Sequence, residues 1–180
     1  VVEAGVQMVK IEASAAYLDI VRAVSDAGIA VMAHIGIRPQ TISKGRLKAE
    51  GRESSVAVDQ TALSENMIEA GASSILLEGT AQEVAAVITK NAAVPVIGCG
   101  SGPSCDGQIL VAPDILGLTR GSGPRFVKKY TDLSREMLKA FSLYNKEVKE
   151  GCFPDDNYSY HMKPGEYERL KNALGLTDCE

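Results

Sequence analysis

Short apolar runs alternate with longer amphipathic segments along most of the chain. Three of these runs directly follow an acid-Ala-Gly tripeptide, at residues 3–5, 26–28 and 69–71. A glycine after the last residue of a helix adopts the left-handed conformation that ends the helix. An apolar run behind that glycine is typical of a buried strand. The repetition of this helix-to-strand turn predicts successive α/β units around a parallel sheet.

The same pattern predicts the individual elements. Four strands are expected within residues 6–12, 29–34, 74–78 and 95–99, and residues 109–111 or 115–118 offer a fifth. Helices are expected over about residues 15–27, with Ser14 as the cap, and over 56–70, 81–91, 125–150 and 165–174. Residues 37–55 are predicted to form a loop rich in glycine, lysine and arginine.

Charged and polar side chains stand where the predicted strands end. The first strand ends in Lys10 and Glu12, which face the same side because strand side chains alternate. The second ends in His34 and the third in Glu78. A lone histidine or terminal glutamate is usually structural or solvated, but active sites of β/α folds lie at the carboxyl ends of the strands. The coincidence of all four residues therefore favours a site.

Composition narrows the function further. The chain has 180 residues and a net charge of −4, which fits an ordinary globular protein and disfavours nucleic acid as a partner. Its longest uncharged stretch, residues 91–105, is too short and too broken by proline and glycine to span a membrane.

The four cysteines show no C-x-x-C spacing, so zinc is disfavoured and reduced thiols are expected. The glycine-rich residues 98–103 match neither the dinucleotide fingerprint nor a phosphate-binding P-loop, and we expect a loop at the mouth of the site.

At this level of detail the chain resembles a known family, ketopantoate hydroxymethyltransferase. The segments that carry the resemblance are residues 9–12 (Val-Lys-Ile-Glu), 33–40, 48–52, 75–78 (Ile-Leu-Leu-Glu), 97–108, 114–119 and 126–130. The resemblance implies a (β/α)₈ TIM barrel of the phosphoenolpyruvate/isocitrate lyase superfamily. We accordingly expect a partial barrel domain over residues 1–154 and a C-terminal tail over residues 155–180.

The resemblance also implies a reaction and roles for single residues. Members transfer a hydroxymethyl group from 5,10-methylenetetrahydrofolate to 3-methyl-2-oxobutanoate with Mg²⁺, giving 2-dehydropantoate for coenzyme A biosynthesis, and they form cytoplasmic homo-oligomers, commonly decamers. By matching motif, Lys10 would bind the keto acid and Glu12 would belong to the Mg²⁺ shell. Glu78 would be the proton acceptor, and His34 would line the site, with Ala33 in place of the family's usual glycine.

The chain also departs from the family pattern. The strands that precede the Lys-Ile-Glu strand in family members have no match here, nor do the two Asp residues that chiefly hold Mg²⁺. The sequence therefore resembles the C-terminal two-thirds of such an enzyme, either as part of a longer protein or as a shortened relative. Three functions stay open: the transferase, a non-catalytic assembly subunit, and another carbon–carbon lyase of the same superfamily.

Overall fold

The chain forms two compact units, Val1–Asp132 and Leu133–Glu180. The computed structural model describes residues 2–39, 48–121 and 123–176. Residues 40–47 of the loop predicted over residues 37–55, including Gln40 of one resembling segment, lie outside this range. The predicted boundary after residue 154 falls inside the second unit and stays a prediction.

A parallel sheet forms the centre of the first unit. Its strands are β1 (Met8–Glu12), β2 (Ala30–Gly36), β3 (Ser74–Glu78), β4 (Val96–Cys99) and β5 (Gly107–Gln108). They lie in the order β1-β2-β3-β4-β5, and all neighbouring pairs are parallel. The α/β fold with a parallel sheet predicted from the sequence is thus confirmed.

The fifth strand lies in neither of the two segments that the sequence offered. It forms just before them, because the backbone there pairs with β4. The Asp106 N–H donates to the Val96 carbonyl at 2.9 Å, and the Ile109 N–H donates to the Gly98 carbonyl at 2.9 Å. The opposed positions Gly98 and Gln108 are in register in this pairing.

Helices connect the first four strands, and others follow the sheet. They are α1 (Leu18–Asp26), α2 (Ser54–Glu69), α3 (Gln82–Asn91) and α4 (Ala112–Ile115) in the first unit, and α5 (Leu133–Glu150) and α6 (Glu166–Leu174) in the second. Two predicted helix-to-strand turns are confirmed at Gly28 and Gly71, which have φ of +80° and +100°. Each donates its N–H to a carbonyl in the last turn of the helix before it, Ser25 or Ile68.

One predicted helix start is confirmed in part and another is wrong. Ser14 stands at the cap position as predicted, but its side chain makes no capping hydrogen bond, and the segment begins as a short 3₁₀ helix, Ala15–Tyr17, before α1. The long C-terminal helix begins at Leu133 rather than near residue 125. The segment before it is held in a non-helical path, because the Tyr130 N–H donates to the Ile115 carbonyl at 2.8 Å.

The two faces of the sheet have different surroundings. One face packs against α1, α2 and α3 and forms the apolar core. The core residues on this face occupy every second position of β2 and β3 and one position of β4: Val31, Ala33, Ile35, Ile75, Leu77 and Val96. Val21, Met67 and Ile88 of the three helices are buried against them. The side chains between these positions point to the other face of the sheet, which carries the candidate site.

The second unit contains α5, α6 and a small aromatic cluster. The Phe153 ring packs edge-on against Tyr144, with ring centroids 5.6 Å apart, and in a tilted arrangement against Tyr158, with centroids 5.5 Å apart. Met137, Phe141, Tyr144 and Val148 follow helical spacing along α5 and are all exposed. Among the helices that the structure describes, none is long and apolar enough to cross a membrane.

Candidate active site

The register of the strands brings the residues predicted from the sequence to one face. Glu12 is paired with His34, and Glu78 is paired with Gly36 on one side and with Cys99 on the other. Paired residues of parallel strands point to the same face, and Lys10 shares the face of Glu12 by alternation. Lys10, Glu12, His34 and Glu78 therefore lie on the face opposite the helices, towards the carboxyl ends of β1, β2 and β3.

A short polar contact within this group joins His34 and Glu78. The His34 Nε2 and Glu78 Oε2 atoms are 3.2 Å apart, and the side chains are 2% and 17% exposed. Their orientation does not satisfy hydrogen-bond geometry, so the contact is short but poorly directed. Buried polar atoms without a well-directed partner are rare, and they occur preferentially where a ligand or water completes the site.

His34 is held in its neutral form. Burial lowers the pKa of its imidazole most strongly, and the positive charge of Lys10 lowers that pKa further. Glu12 and the backbone of Ile37 oppose this shift, and Arg38 adds to it. The contact between His34 and Glu78 is therefore not an ion pair near neutral pH, since the imidazole carries no charge there.

Glu78 has the opposite tendency, as expected for a carboxyl group withdrawn from water. Burial is the main cause that raises its pKa, and the negative charge of Glu12 raises it further. Lys10 opposes the shift by favouring the carboxylate. A carboxyl group whose pKa is moved towards neutrality is better suited to exchange protons with a weak carbon acid.

Backbone hydrogen bonds hold the end of β3 from both sides. The Ile37 N–H donates to the Glu78 carbonyl at 2.8 Å, and the Gly79 N–H donates to the Cys99 carbonyl at 2.8 Å. The Glu50 N–H donates to the Gly79 carbonyl at 2.9 Å. The position of Glu78 is therefore set by β4 and by the segment after β2 as well as by its own strand.

Arg38 and Ala13 connect the ends of β1 and β2. The Arg38 guanidinium donates to the Ala13 carbonyl at 3.2 Å, and the Ala13 N–H donates to the His34 carbonyl at 2.8 Å. Arg38 also contributes to the low pKa of His34. Arg38 stands in the resembling segment 33–40, and no role was expected for it, although a positive residue four positions after a strand-end histidine was an available signal.

Cys99 is a further member of the group that the sequence reasoning did not place in the site. Burial raises the pKa of its thiol to about 11, with a further contribution from the charge of Glu78. The charges of Lys10 and Asp114 also act on this thiol, in opposite directions. The available signal was its position at the end of the fourth predicted strand.

The described residues of the site offer few side chains that could bind a metal ion. Glu12 and Glu78 offer carboxylate oxygens, which are the ligands that Mg²⁺ prefers. No group of three histidine, cysteine, aspartate or glutamate side chains that could hold a metal ion occurs within residues 2–39, 48–121 and 123–176. These residues therefore do not complete a magnesium site by themselves, and Glu12 fits only as one ligand of a larger set.

Comparison with known proteins identifies the relatives of this chain. The model of the family described as ketopantoate hydroxymethyltransferase matches residues 1–156. A 3-methyl-2-oxobutanoate hydroxymethyltransferase of Hyperthermus butylicus is 42% identical over 174 residues, which are 96% of this chain and 60% of that relative. One from Cenarchaeum symbiosum is 44% identical, over 94% of this chain and 65% of the relative.

A third relative with the same name, from a Thermoanaerobacter species, is 40% identical over 92% of this chain and 61% of its own length. The chain thus spans about 60% of the length of the first relatives it matches. The match covers most of the chain, including all five strands and every residue of the candidate site. The chain belongs to the ketopantoate hydroxymethyltransferase family.

Proposed function

We propose that the protein transfers a hydroxymethyl group from 5,10-methylenetetrahydrofolate to 3-methyl-2-oxobutanoate and so produces 2-dehydropantoate. The observation that carries this proposal is the placement of Glu78 beside a neutral, buried His34, with Lys10 acting on both groups. This arrangement supplies a base and a positive charge on one face. Removal of a proton next to a keto group needs both.

Glu78 would take the proton from C3 of the keto acid. The C3–H bond breaks, its electron pair forms the enolate, and the proton passes to the Glu78 carboxylate. Water adds to the methylene carbon of the folate, both carbon–nitrogen bonds of that carbon break with their electron pairs left on nitrogen, and tetrahydrofolate leaves with the two protons of the water. C3 then bonds to the released carbon, which is at the oxidation level of formaldehyde, and its oxygen takes back the proton held by Glu78 to become the new hydroxyl group. The raised pKa of Glu78 favours this step, because a stronger base takes a larger share of a weakly acidic proton.

Lys10 would bind the keto acid and balance the negative charge that grows on its oxygen. Its charge already acts on His34, Glu78 and Cys99, so it lies near enough to influence a substrate bound among them. His34 would line the site and keep Glu78 in place without adding a positive charge. A neutral imidazole can donate one N–H to the carboxylate, and hydrogen bonds that are poorly directed in a free active site commonly tighten when the substrate binds.

We include Mg²⁺ in this proposal, with Glu12 as one oxygen ligand. When bound, the ion would draw electron density from the keto oxygen and carboxylate of the substrate. The sequential order of parallel strands further supports the proposal that the sheet is part of the wall of a (β/α)₈ barrel. Mg²⁺ usually keeps several waters and binds through only one or two carboxylates, so the oxygens of the bound keto acid and water would complete its shell.

We also propose that the protein is a cytoplasmic homo-oligomer, and a decamer by analogy with the resemblance set out above. The exposed apolar positions of α5 support an oligomer, because a stripe of this kind is often covered by another chain. The same stripe, with the incomplete ligand set, favours a second candidate function, that of a non-catalytic assembly subunit. Such a subunit would assemble but would not turn over the keto acid.

The direct test is product formation by the complete protein. The protein is incubated with the keto acid, 5,10-methylenetetrahydrofolate and MgCl₂, and 2-dehydropantoate is measured by mass spectrometry. A parallel series with chelator tests the need for Mg²⁺, and a series with other 2-keto acids tests a lyase of different specificity. Product from 3-methyl-2-oxobutanoate is expected; an assembled but inactive protein would support the assembly subunit instead.

A further inference from the structure

We propose that Ser101 is a positioning residue for Glu78. Its hydroxyl group bonds the backbone on both sides of Glu78 and so fixes the place from which the carboxylate acts. This inference rests on the proposed function, because it assigns Ser101 to the proton transfer suggested there. Neither the motifs nor the family resemblance gave Ser101 a role.

The hydrogen bonds of Ser101 enclose Glu78 in sequence and in space. The Ser101 hydroxyl donates to the Leu77 carbonyl at 2.8 Å and accepts from the Thr80 N–H at 3.1 Å. Leu77 precedes Glu78 by one residue, and Thr80 follows it by two. The Ser101 hydroxyl oxygen is therefore hydrogen-bonded to the backbone on both sides of Glu78, the last residue of β3.

Ser101 is isolated from solvent, which makes these two bonds hard to replace. The residue is 0% exposed and Thr80 is 3% exposed. Without the hydroxyl group, the Thr80 N–H would lose its partner in a region that water does not reach. A buried N–H without a partner is unfavourable, so the backbone after Glu78 would be expected to move in search of another acceptor.

The loop after β4 is shaped to bring Ser101 to this position. Gly100 and Gly102 flank the serine with φ of +70° and +84°, a left-handed conformation that favours glycine. A Cβ atom at Gly100 would overlap the Phe126 ring, and one at Gly102 would overlap the Gln82 side chain. Both sides of the turn are therefore packed, and the serine between them is directed inward.

Loss of the Ser101 hydroxyl group would disturb the alignment of the Glu78 carboxylate but would not remove the base. Glu78 remains in the chain when Ser101 is altered, but its carboxylate would be free to sample more positions. A displacement of about 1 Å in an active site can lower a rate roughly 100-fold. We expect a decrease of about 10- to 100-fold in proton removal for a variant that loses both bonds. A looser carboxylate would also meet more water, and its pKa would fall towards the ordinary value.

The experiment measures hydrogen–deuterium exchange at C3 of 3-methyl-2-oxobutanoate by proton NMR, across a range of pH, in the complete protein with MgCl₂. Ser101→Ala removes both bonds, and Ser101→Cys keeps the size of the side chain but weakens them. Ser101→Thr keeps the hydroxyl group and should recover much of the exchange rate. The matched control is Ser64→Ala, since Ser64 is 2% exposed and donates to the Thr61 carbonyl at 2.7 Å within α2.

The expected result is slower exchange in Ser101→Ala and Ser101→Cys, with the acid limb of the pH profile moved to lower pH, and little change in Ser64→Ala. If Ser101→Ala and Ser101→Cys both fold and show the wild-type exchange rate with an unshifted pH profile, the positioning role is overturned and the proposed function stays intact. An equal loss in Ser64→Ala, or a loss without any shift of the profile, would also overturn it. Absence of exchange in the wild-type protein would instead refute the proposed function.

Discussion

His34 Nε2 and Glu78 Oε2 lie 3.2 Å apart although the two residues are not paired in the sheet. Glu78 is paired with Gly36, and His34 is paired with Leu76, so the contact runs diagonally between β2 and β3. A Cβ atom at Gly36 would overlap the Glu78 carbonyl oxygen, so the glycine allows the ends of β2 and β3 to pack closely beside this contact. The glycine is therefore part of the architecture of the candidate site.

Gly36→Ala is expected to destabilise the protein. Gly36 has a φ of +95°, and a Cβ atom there would overlap the Glu78 carbonyl oxygen and lie 2.8 Å from Thr80 Oγ1. Strain of this kind costs on the order of 1–3 kcal/mol, and the overlap adds to it. The measurement is the free energy of unfolding in urea. The control is Gly28→Ala, where φ is +80° but a Cβ atom would meet nothing within 4 Å, so a smaller loss is expected.

His34 should make the protein less stable as the pH falls through the ordinary histidine value of 6.5. Its pKa is lowered in the folded state, so the unfolded chain binds the proton first and unfolding becomes favoured below that pH. The loss reaches at most about 1.4 kcal/mol per pH unit. Urea unfolding between about pH 7.5 and about pH 5.5 should show this slope in the wild type and a shallower one in His34→Gln.

The chain offers a matched control for that experiment. His161 is the only other histidine in the sequence, and its exposed ring lies 3.0 Å from an Asp156 carboxylate oxygen. His161→Gln should keep the wild-type slope. Glu78 contributes with the opposite sign, because its raised pKa favours the folded state at low pH, but it is present in all three proteins. A wild-type slope in His34→Gln would contradict the burial of a neutral imidazole.

Lys10→Gln should alter both the pH dependence of proton removal and the binding of the keto acid. Lys10 lowers the pKa of Glu78, so its loss should raise that pKa and move the acid limb of C3 exchange to higher pH. Loss of a charge-assisted bond to the substrate should raise KM roughly 10- to 100-fold. Lys90→Gln, on the exposed side of α3, is the control and should change neither quantity.

Cys99 should resist alkylation in the folded protein. Its thiol is buried and has a pKa of about 11, so very little thiolate is present at about pH 8. Cys152 is exposed and provides an internal comparison. Peptide mass spectrometry after treatment with iodoacetamide should find Cys152 modified and Cys99 unmodified until urea is added. Equal labelling of both without urea would contradict the closed packing around Glu78.

The strand ends could be predicted from the sequence because their signals are local. Alternation along β1 already places Lys10 and Glu12 on one face, and the glycine turns mark where strands begin. The start of α5 could not be predicted in this way. The apolar spacing continues upstream of Leu133, and only the tertiary bond between Tyr130 and Ile115 shows that the segment is not helical.

The finer geometry of the site depends on residues that are distant in sequence. The contact between His34 and Glu78 follows from the register of two strands that are distant in sequence. The role we propose for Ser101 depends on two backbone groups about 20 residues away. A serine between glycines is otherwise an ordinary loop residue, and no local pattern distinguishes it.

The most direct test of the account is deuterium exchange at C3 of 3-methyl-2-oxobutanoate in the complete protein, compared between wild type, Glu78→Gln and Glu69→Gln. This exchange needs no folate and isolates the proton transfer. Glu69 is an exposed carboxylate on α2, so its variant should exchange at the wild-type rate. Glu78→Gln is predicted to lose at least about 100-fold, the usual contribution of a general base. Exchange at the wild-type rate in Glu78→Gln would contradict the assignment of Glu78 as the base.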